Sequence, residues 1–299
     1  MSSESIQIGV AASALSDDPR QAPALARSIG FKGIQFDAYS AGFNIPDLAG
    51  SGRREFLHVL SSHDQQLVGL RGELGPRGLG PGADVDRILS KFSKVLEAAA
   101  DLGSPLFCVD LGSLPAPAVP ERPKPKVTAD QAGLILLPTT QAAPEPATPA
   151  AAPPDPAVVS QVDAALSEIG RLADRYSVIV AFRSDLASLA ALERAVLQAG
   201  CPWFGIDFDP VAVLRDEWDL DETFSRLGAL VRHVRARDAV KGADRRTRPA
   251  VVGQGDTDWG TLLANLGAAD YRGWITIDPT ELPDRHAAAA VGRKVIATL

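Results

Sequence analysis

The sequence predicts an eight-stranded (β/α) barrel, and two observations carry that prediction. Apolar runs of strand length alternate with amphipathic helical stretches eight times along the chain. Several of these runs, Val178–Phe182 among them, are continuously apolar, as strands of a parallel sheet are when both faces are covered. Alternating strand and helix units give right-handed crossovers and a parallel sheet. Eight such units within 299 residues suffice to close it into a barrel. A doubly wound open sheet is the alternative, but no GxGxxG follows the first strand.

The elements follow in order. Ile6–Ala12 reads as the first strand. Asp18 is placed to cap the first helix, with Pro19 at its first position, Ala22–Ile29 as its apolar-periodic body and Gly30 as its stop. Gly33–Ala38 is a strand and Arg53–His63 a helix. Leu67–Glu73 is a strand, followed by the long helix Val85–Leu102, which Gly103 closes. Pro105–Leu111 is the fourth strand. After an interruption come the helix Val158–Tyr176, the strand Val178–Arg183 and the helix Leu186–Ala199. Trp203–Asp209 and Leu220–Leu230 form the sixth pair's strand and helix, and Val231–Asp238 and Trp259–Leu266 the seventh. Gly273–Asp278 is the eighth strand and His286–Ala297 the last helix.

The interruption, residues 113–156, holds twelve of the 23 prolines and many alanines. Such a segment favours extended polyproline conformations and builds no core. It is expected to be a poorly ordered insertion in a single domain spanning 1–299. Because it follows the fourth strand, it emerges on the face where a barrel carries its site. A partial lid, or a strap on a partner subunit, is the sharper reading.

Composition narrows the partners. The net charge of −7 gives no basic footprint for nucleic acid. No run approaches the ~18 apolar residues that span a bilayer, and Met1–Gln7 has no basic-then-apolar leader pattern. Cys108 and Cys201 lie in or beside apolar runs and imply buried free thiols, not a disulfide or a Cys/His metal motif. A cytoplasmic protein, possible as a homodimer, fits these features.

Barrel strand ends converge on one pocket. Those ends carry Gln35, Asp37, Arg71, Glu73, Asp110, Arg183, Asp207, Asp209, His233, Arg235, Arg237, Asp238 and Asp278. Alternation along a strand puts His233, Arg235 and Arg237 on one face, Asp207 with Asp209, and Thr276 with Asp278. Three basic side chains on one face need acidic partners or an anion. The alternative is structural Arg–Asp pairs closing the barrel mouth. His233 is the natural candidate for proton transfer, because histidine titrates near neutrality. A packed, hydrogen-bonded histidine in the barrel wall is the plainer reading. Trp259, after Gly253-Gln254-Gly255-Asp256-Thr257-Asp258, is expected to pack that loop onto the barrel.

These segments resemble the sugar phosphate isomerase/epimerase family, the xylose isomerase-like barrels. Val251–Trp259 is similar to that family's GxGxxDW segment, His233–Asp238 to its HVHxKD strand, and Gly205–Pro210 to its GxxxDP strand. Tyr271–Asp278 is similar to its YxGxxxxE ending, and Gly30–Phe36 to its second strand. The resemblance implies a divalent cation held by Glu, Asp, His and Glu at the ends of strands five to eight. At those positions stand Arg183, Asp209, Arg235 and Asp278, and Gln35 replaces the second-strand glutamate. Arginine has no lone pair to donate and keeps its charge. The family ion, Mn²⁺, Mg²⁺ or Zn²⁺, is therefore expected to be absent and no other cofactor is implied.

The resemblance implies an isomerase or epimerase of sugar or sugar phosphate substrates, with His233, Asp209 and Glu73 as candidate proton-transfer residues. Arg183, Arg235, Arg237, Asp278 and Gln35 are the candidate substrate-binding residues, the guanidinium groups holding an anion by bidentate bonds. A non-catalytic barrel that binds an anionic small molecule or a protein partner is the alternative.

Overall fold

A computed structural model describes residues 7–115, 154–243 and 245–299. The expectation of a poorly ordered insertion over 113–156 falls mainly on 116–153, outside the described residues.

Eight parallel strands close into a barrel: β1 Gln7–Ala11, β2 Gly33–Asp37, β3 Gln66–Glu73, β4 Leu106–Asp110, β5 Ile179–Arg183, β6 Phe204–Phe208, β7 Val231–Ala236 and β8 Trp274–Ile277. The order around the ring follows the chain, and β1 pairs with both β2 and β8. Helices α1 Ala22–Ile29, α2 Gly50–Ser62, α3 Val85–Asp101, α4 Pro156–Tyr176, α5 Leu189–Gln198, α6 Pro210–Asp216, α7 Leu220–Leu227, α8 Trp259–Ala268 and α9 Arg285–Thr298 surround it. The predicted (β/α)₈ barrel is the fold.

Local chemistry sets the helix starts. Side chains of Asp84, Asp155, Ser188, Asp258 and Asp284 accept hydrogen bonds from the first-turn amides of α3, α4, α5, α8 and α9, satisfying donors that a helix leaves without partners. Asp18 does not cap α1. Its carboxylate accepts from the Arg20 amide at 3.1 Å and closes a turn before the helix, and Gln21 occupies the cap.

Three elements depart from the sequence expectation. Helix α6 follows β6 directly, with Asp209 as its cap and Pro210 at its first position. The seventh strand stops at Ala236, and Asp238–Lys241 instead pairs antiparallel with Thr247–Ala250. A second small hairpin joins Tyr39–Ser40 to Phe43–Asn44 beside the mouth.

The two faces of the strands hold different chemistry. Outward residues meet the helices in the main core, where Phe107 stacks edge-on against Phe92 at 5.4 Å and Phe208 meets Phe224 at 5.0 Å. Each such buried aromatic ring stabilises the layer by roughly 1.5–3 kcal/mol. Inward residues form a separate small cluster, Leu106, Cys108 and Ala181 with Ile179 against it. Register sorts β4 and β5 into layers: Leu106 beside Ile179, Cys108 beside Ala181, and Asp110 beside Arg183. The barrel interior thus passes from an apolar floor to a charged mouth. Both cysteines are free, Cys108 buried and Cys201 half-buried.

Candidate functional site

The charged layer encloses a cavity of about 440 Å³ at the C-terminal ends of the strands. Its charged lining is balanced: Arg71, Lys91, Arg183 and Arg235 against Asp37, Glu73, Asp110 and Asp207. Among the sequence-predicted site residues, Gln35, Glu73, Arg183 and Arg235 face this cavity. His233, Asp209, Arg237 and Asp278 lie buried beside it, each 7% exposed or less.

The guanidinium groups have carboxylate partners. Asp278 is buried at the end of β8, where it accepts from Arg71 Nη1 at 2.6 Å and from Arg235 Nε at 2.5 Å. The Thr280 hydroxyl adds a bond at 2.7 Å to its other oxygen. Burial alone would raise the Asp278 pKa, but Arg235 and Arg71 hold it well below the usual carboxylate range. Arg71 also donates to Asp37 at 2.5 Å and to the Ser13 hydroxyl at 2.6 Å. Arg183 meets Asp110 at 3.1 Å and Asp185 at 2.6 Å. Arg237 bonds Asp209, Asp185 and Glu281. Arg–Asp pairs therefore close the mouth, as one sequence reading anticipated.

Arg235 is the most stressed of these cations. Burial lowers its pKa, Asp278 opposes that, and the charges of Arg183, Arg237 and Arg71 add to the lowering. It faces the cavity with one carboxylate partner, which it shares with Arg71.

Below the mouth lies a second polar layer. His233 is fully buried, with Nδ1 2.6 Å from Asp207 Oδ1 and Nε2 2.7 Å from Thr276 Oγ1. A register shift between Ile206 and Asp207 sets Asp207 directly opposite His233. Burial opposes ionisation of Asp207, yet His233 and Arg183 bring its pKa below the ordinary value. His233 is thus the hydrogen-bonded wall residue of the plainer expectation, and it touches the cavity only through Asp207.

The loop after β7 is organised by a different carboxylate. Asp238 accepts from the amides of Ala239 and Gly253 at 2.8 Å, of Gly255 and Thr257 at 3.2 Å, and from Trp259 Nε1 at 3.0 Å. Trp259 is 4% exposed and packs the loop onto the barrel as expected. A Cβ on Gly255 would lie 2.2 Å from Asp238 Oδ1, so only glycine fits there.

The four positions at which the resemblance implies metal ligands do not fit a hard divalent cation. Arg183 and Arg235 bring two fixed positive charges, and Asp209 and Asp278 are committed to arginine partners. Such an ion wants several oxygen ligands in an octahedral shell. Sequence reasoning placed Arg71 among the strand-end residues without giving it a role, and did not single out Lys91 or Cys108 for the cavity. Arg71 and Cys108 had a usable signal in strand-end parity, whereas Lys91 reaches it from α3. Among the described residues, no helix is long and apolar enough to cross a membrane.

No curated protein matches the sequence. Solved structures share its fold. A xylose isomerase domain protein from Planctomyces limnophilus superposes with a TM-score of 0.73 at 15% identity, covering 98% of this chain and 97% of its own. D-psicose 3-epimerase from Clostridium cellulolyticum H10 gives 0.69 at 12% identity, covering 97% and 99%. A 3-keto-D-glucoside 4-epimerase from E. coli gives 0.68 at 17% identity, covering 98% and 100%. The profile described as the xylose isomerase-like TIM barrel matches residues 23–299, and the chain belongs to that family.

Proposed function

We infer that this protein is a sugar isomerase or epimerase that works without a hard divalent cation at its strand ends. The observation that carries the reading is the state of Glu73. Among the described carboxylates lining the cavity it alone makes no ion pair, while Arg71, Arg183 and Arg235 line the same cavity. An unpaired carboxylate can take a proton from a carbon next to a carbonyl. The charge that develops on the carbonyl oxygen needs fixed donors, and the guanidinium groups of Arg183 and Arg235 supply them. One carboxylate carrying the proton between adjacent carbons suffices for isomerisation. Epimerisation needs a second acid on the opposite wall.

Of the other residues first considered for proton transfer, His233 acts by holding Asp207, and Asp209 by holding Arg237. Gln35 lines the cavity and offers hydrogen bonds to hydroxyl groups. The balanced lining favours a neutral polyhydroxylated substrate over a phosphorylated one. The similar folds of sugar epimerases support this substrate class.

The test uses ketopentoses, ketohexoses and their phosphate esters in heavy water. Deuterium should appear at the carbon beside the carbonyl, and Glu73→Gln should slow its entry by about 10² or more. Absence of exchange with every sugar would overturn the enzymatic reading in favour of a binding barrel. Exchange that requires added Mg²⁺ or Mn²⁺ would overturn the cation-independent part.

A further inference from the structure

We propose that Cys108, Asp207 and His233 form a binding site for a zinc-class divalent ion at the floor of the cavity. The site is distinct from the four strand-end positions discussed above and does not depend on the isomerase reading.

Three strands bring the ligands together. Cys108 projects from β4, Asp207 from β6 and His233 from β7, all inward and all 4% exposed or less. Their ligand atoms lie within 4.8 Å of one another. A thiolate, an imidazole nitrogen and a carboxylate oxygen make a ligand set for zinc, whereas magnesium and calcium want oxygen alone. Cys108 and Asp207 also line the cavity, so a fourth coordination position opens onto it. Three protein ligands and an open position form the arrangement of a reactive, not purely structural, zinc centre.

Two surrounding groups point to a ligand. Thr276 Oγ1 lies 2.7 Å from His233 Nε2 and fixes the ring from its far side. Gln35 is 1% exposed, and its side-chain amide nitrogen has no strong acceptor, only the weakly accepting Cys108 thiol beside it. A metal-bound thiolate, or a water on the ion, supplies the strong acceptor that this donor lacks.

Proton and charge accounting closes. The 2.6 Å contact between His233 Nδ1 and Asp207 requires a proton between them. When Nδ1 takes the ion, that proton moves to Nε2 and donates to Thr276, so the imidazole stays neutral. The thiol proton leaves to solvent. The dication is then neutralised by one thiolate and one carboxylate, and the site gains one positive charge overall. Arg183 faces Asp207 at 4.0 Å and Arg235 lies in the same cavity, but they oppose one charge and not two.

The full-length protein, stripped of metal and reduced, is titrated with Co²⁺ as a spectroscopic probe. One equivalent should produce a near-ultraviolet sulfur-to-cobalt charge-transfer band, and Zn²⁺ should displace it. Cys108→Ser should remove the band, and Cys201→Ser should leave it intact. A wild-type titration without the band, or a band that survives Cys108→Ser, would overturn the site. The wild-type arm needs no variant to fold, and circular dichroism checks the serine variants.

Discussion

Replacing Asp278 by asparagine isolates what holds the barrel mouth together. The side chain is 0% exposed and receives Arg71 and Arg235 through one oxygen and Thr280 through the other. Asparagine keeps the shape and one acceptor oxygen but removes the charge. Arg71 retains Asp37 at 2.5 Å, so Arg235 bears most of the loss. Breaking a buried pair by removing one partner costs roughly 3–5 kcal/mol. The retained acceptor and the adjacent cavity place Asp278→Asn near the lower end, at about 3 kcal/mol. At roughly 2 °C per kcal/mol for a chain of this size, the melting temperature should fall by about 6 °C. Chemical denaturation at neutral pH measures the free energy, and calorimetry the temperature. Arg235→Met in the wild-type background should cost less, because Arg71 still neutralises Asp278. Combined with Asp278→Asn, it should restore about 2 kcal/mol, since the stranded cation is then gone. A loss below about 1 kcal/mol for Asp278→Asn, or strict additivity in the double variant, would refute the pairing argument.

Acid should act through the same carboxylates. Asp185 is brought from 3.8 to about 2, despite an opposing contribution from burial, chiefly by Arg183 and Arg237, and Asp278 is held well below its ordinary value. A depressed folded-state pKa contributes stability that is complete above the unfolded value and disappears as pH falls through the folded one. Melting temperature should therefore hold steady through mild acid and drop from about pH 4 downward; a decline confined to the range above about pH 5 would contradict this. In the loop after β7, Gly255→Ala would drive a methyl group to 2.2 Å from Asp238 Oδ1 and 2.6 Å from the Ala239 carbonyl. It should destabilise by about 3 kcal/mol, and an unchanged denaturation midpoint would show that Asp238 does not anchor the loop.

The barrel was legible because burial on both faces writes itself into its strands as apolar runs, and each of the eight barrel strands was found within a few residues. Helix α6 was missed although Asp209-Pro210 is a good start signal, because those residues read first as the end of a strand. The hairpin of Asp238–Lys241 with Thr247–Ala250 sets buried Asp238 and Ala239 against half-exposed Ala250 and exposed Pro249, and such a segment carries no alternating pattern. At the site, parity groups Asp207 with Asp209 and His233 with Arg235 and Arg237, and in the fold Asp207 bonds His233 while Asp209, past the end of β6, bonds Arg237. Depth was not legible. Residues two apart on one strand differ in exposure according to the tilt and shear of the ring, which put His233 in the wall and Glu73 at the opening. Partner choice was not legible either. Arg71 reaches Asp278 across 207 positions, and Asp185 and Glu281 join the network from loops.

The charge of that network bears on what the mouth can hold. Its cations are Arg71, Arg183, Arg235 and Arg237, four in all. Its carboxylates are Asp37, Asp110, Asp185, Asp207, Asp209, Asp278 and Glu281, seven in all, which leaves 4 − 7 = −3 from arginines and carboxylates alone. Four arginines at one end of a barrel suggest an anion site in the sequence, but in the fold each is already paired with acid, Arg235 through an Asp278 that it shares with Arg71. A phosphate dianion would have to displace carboxylates already 2.5–3.1 Å from their guanidinium partners. Neutral hydroxyl groups need only the N–H donors and carboxylate oxygens that face the cavity. The same excess of acid favours a cation below the mouth, where thiol and imidazole replace oxygen as ligands. The arginines thus occupy the strand-end positions without making the cavity positive, and the balance of charge points toward an uncharged sugar above and a zinc-class ion beneath it.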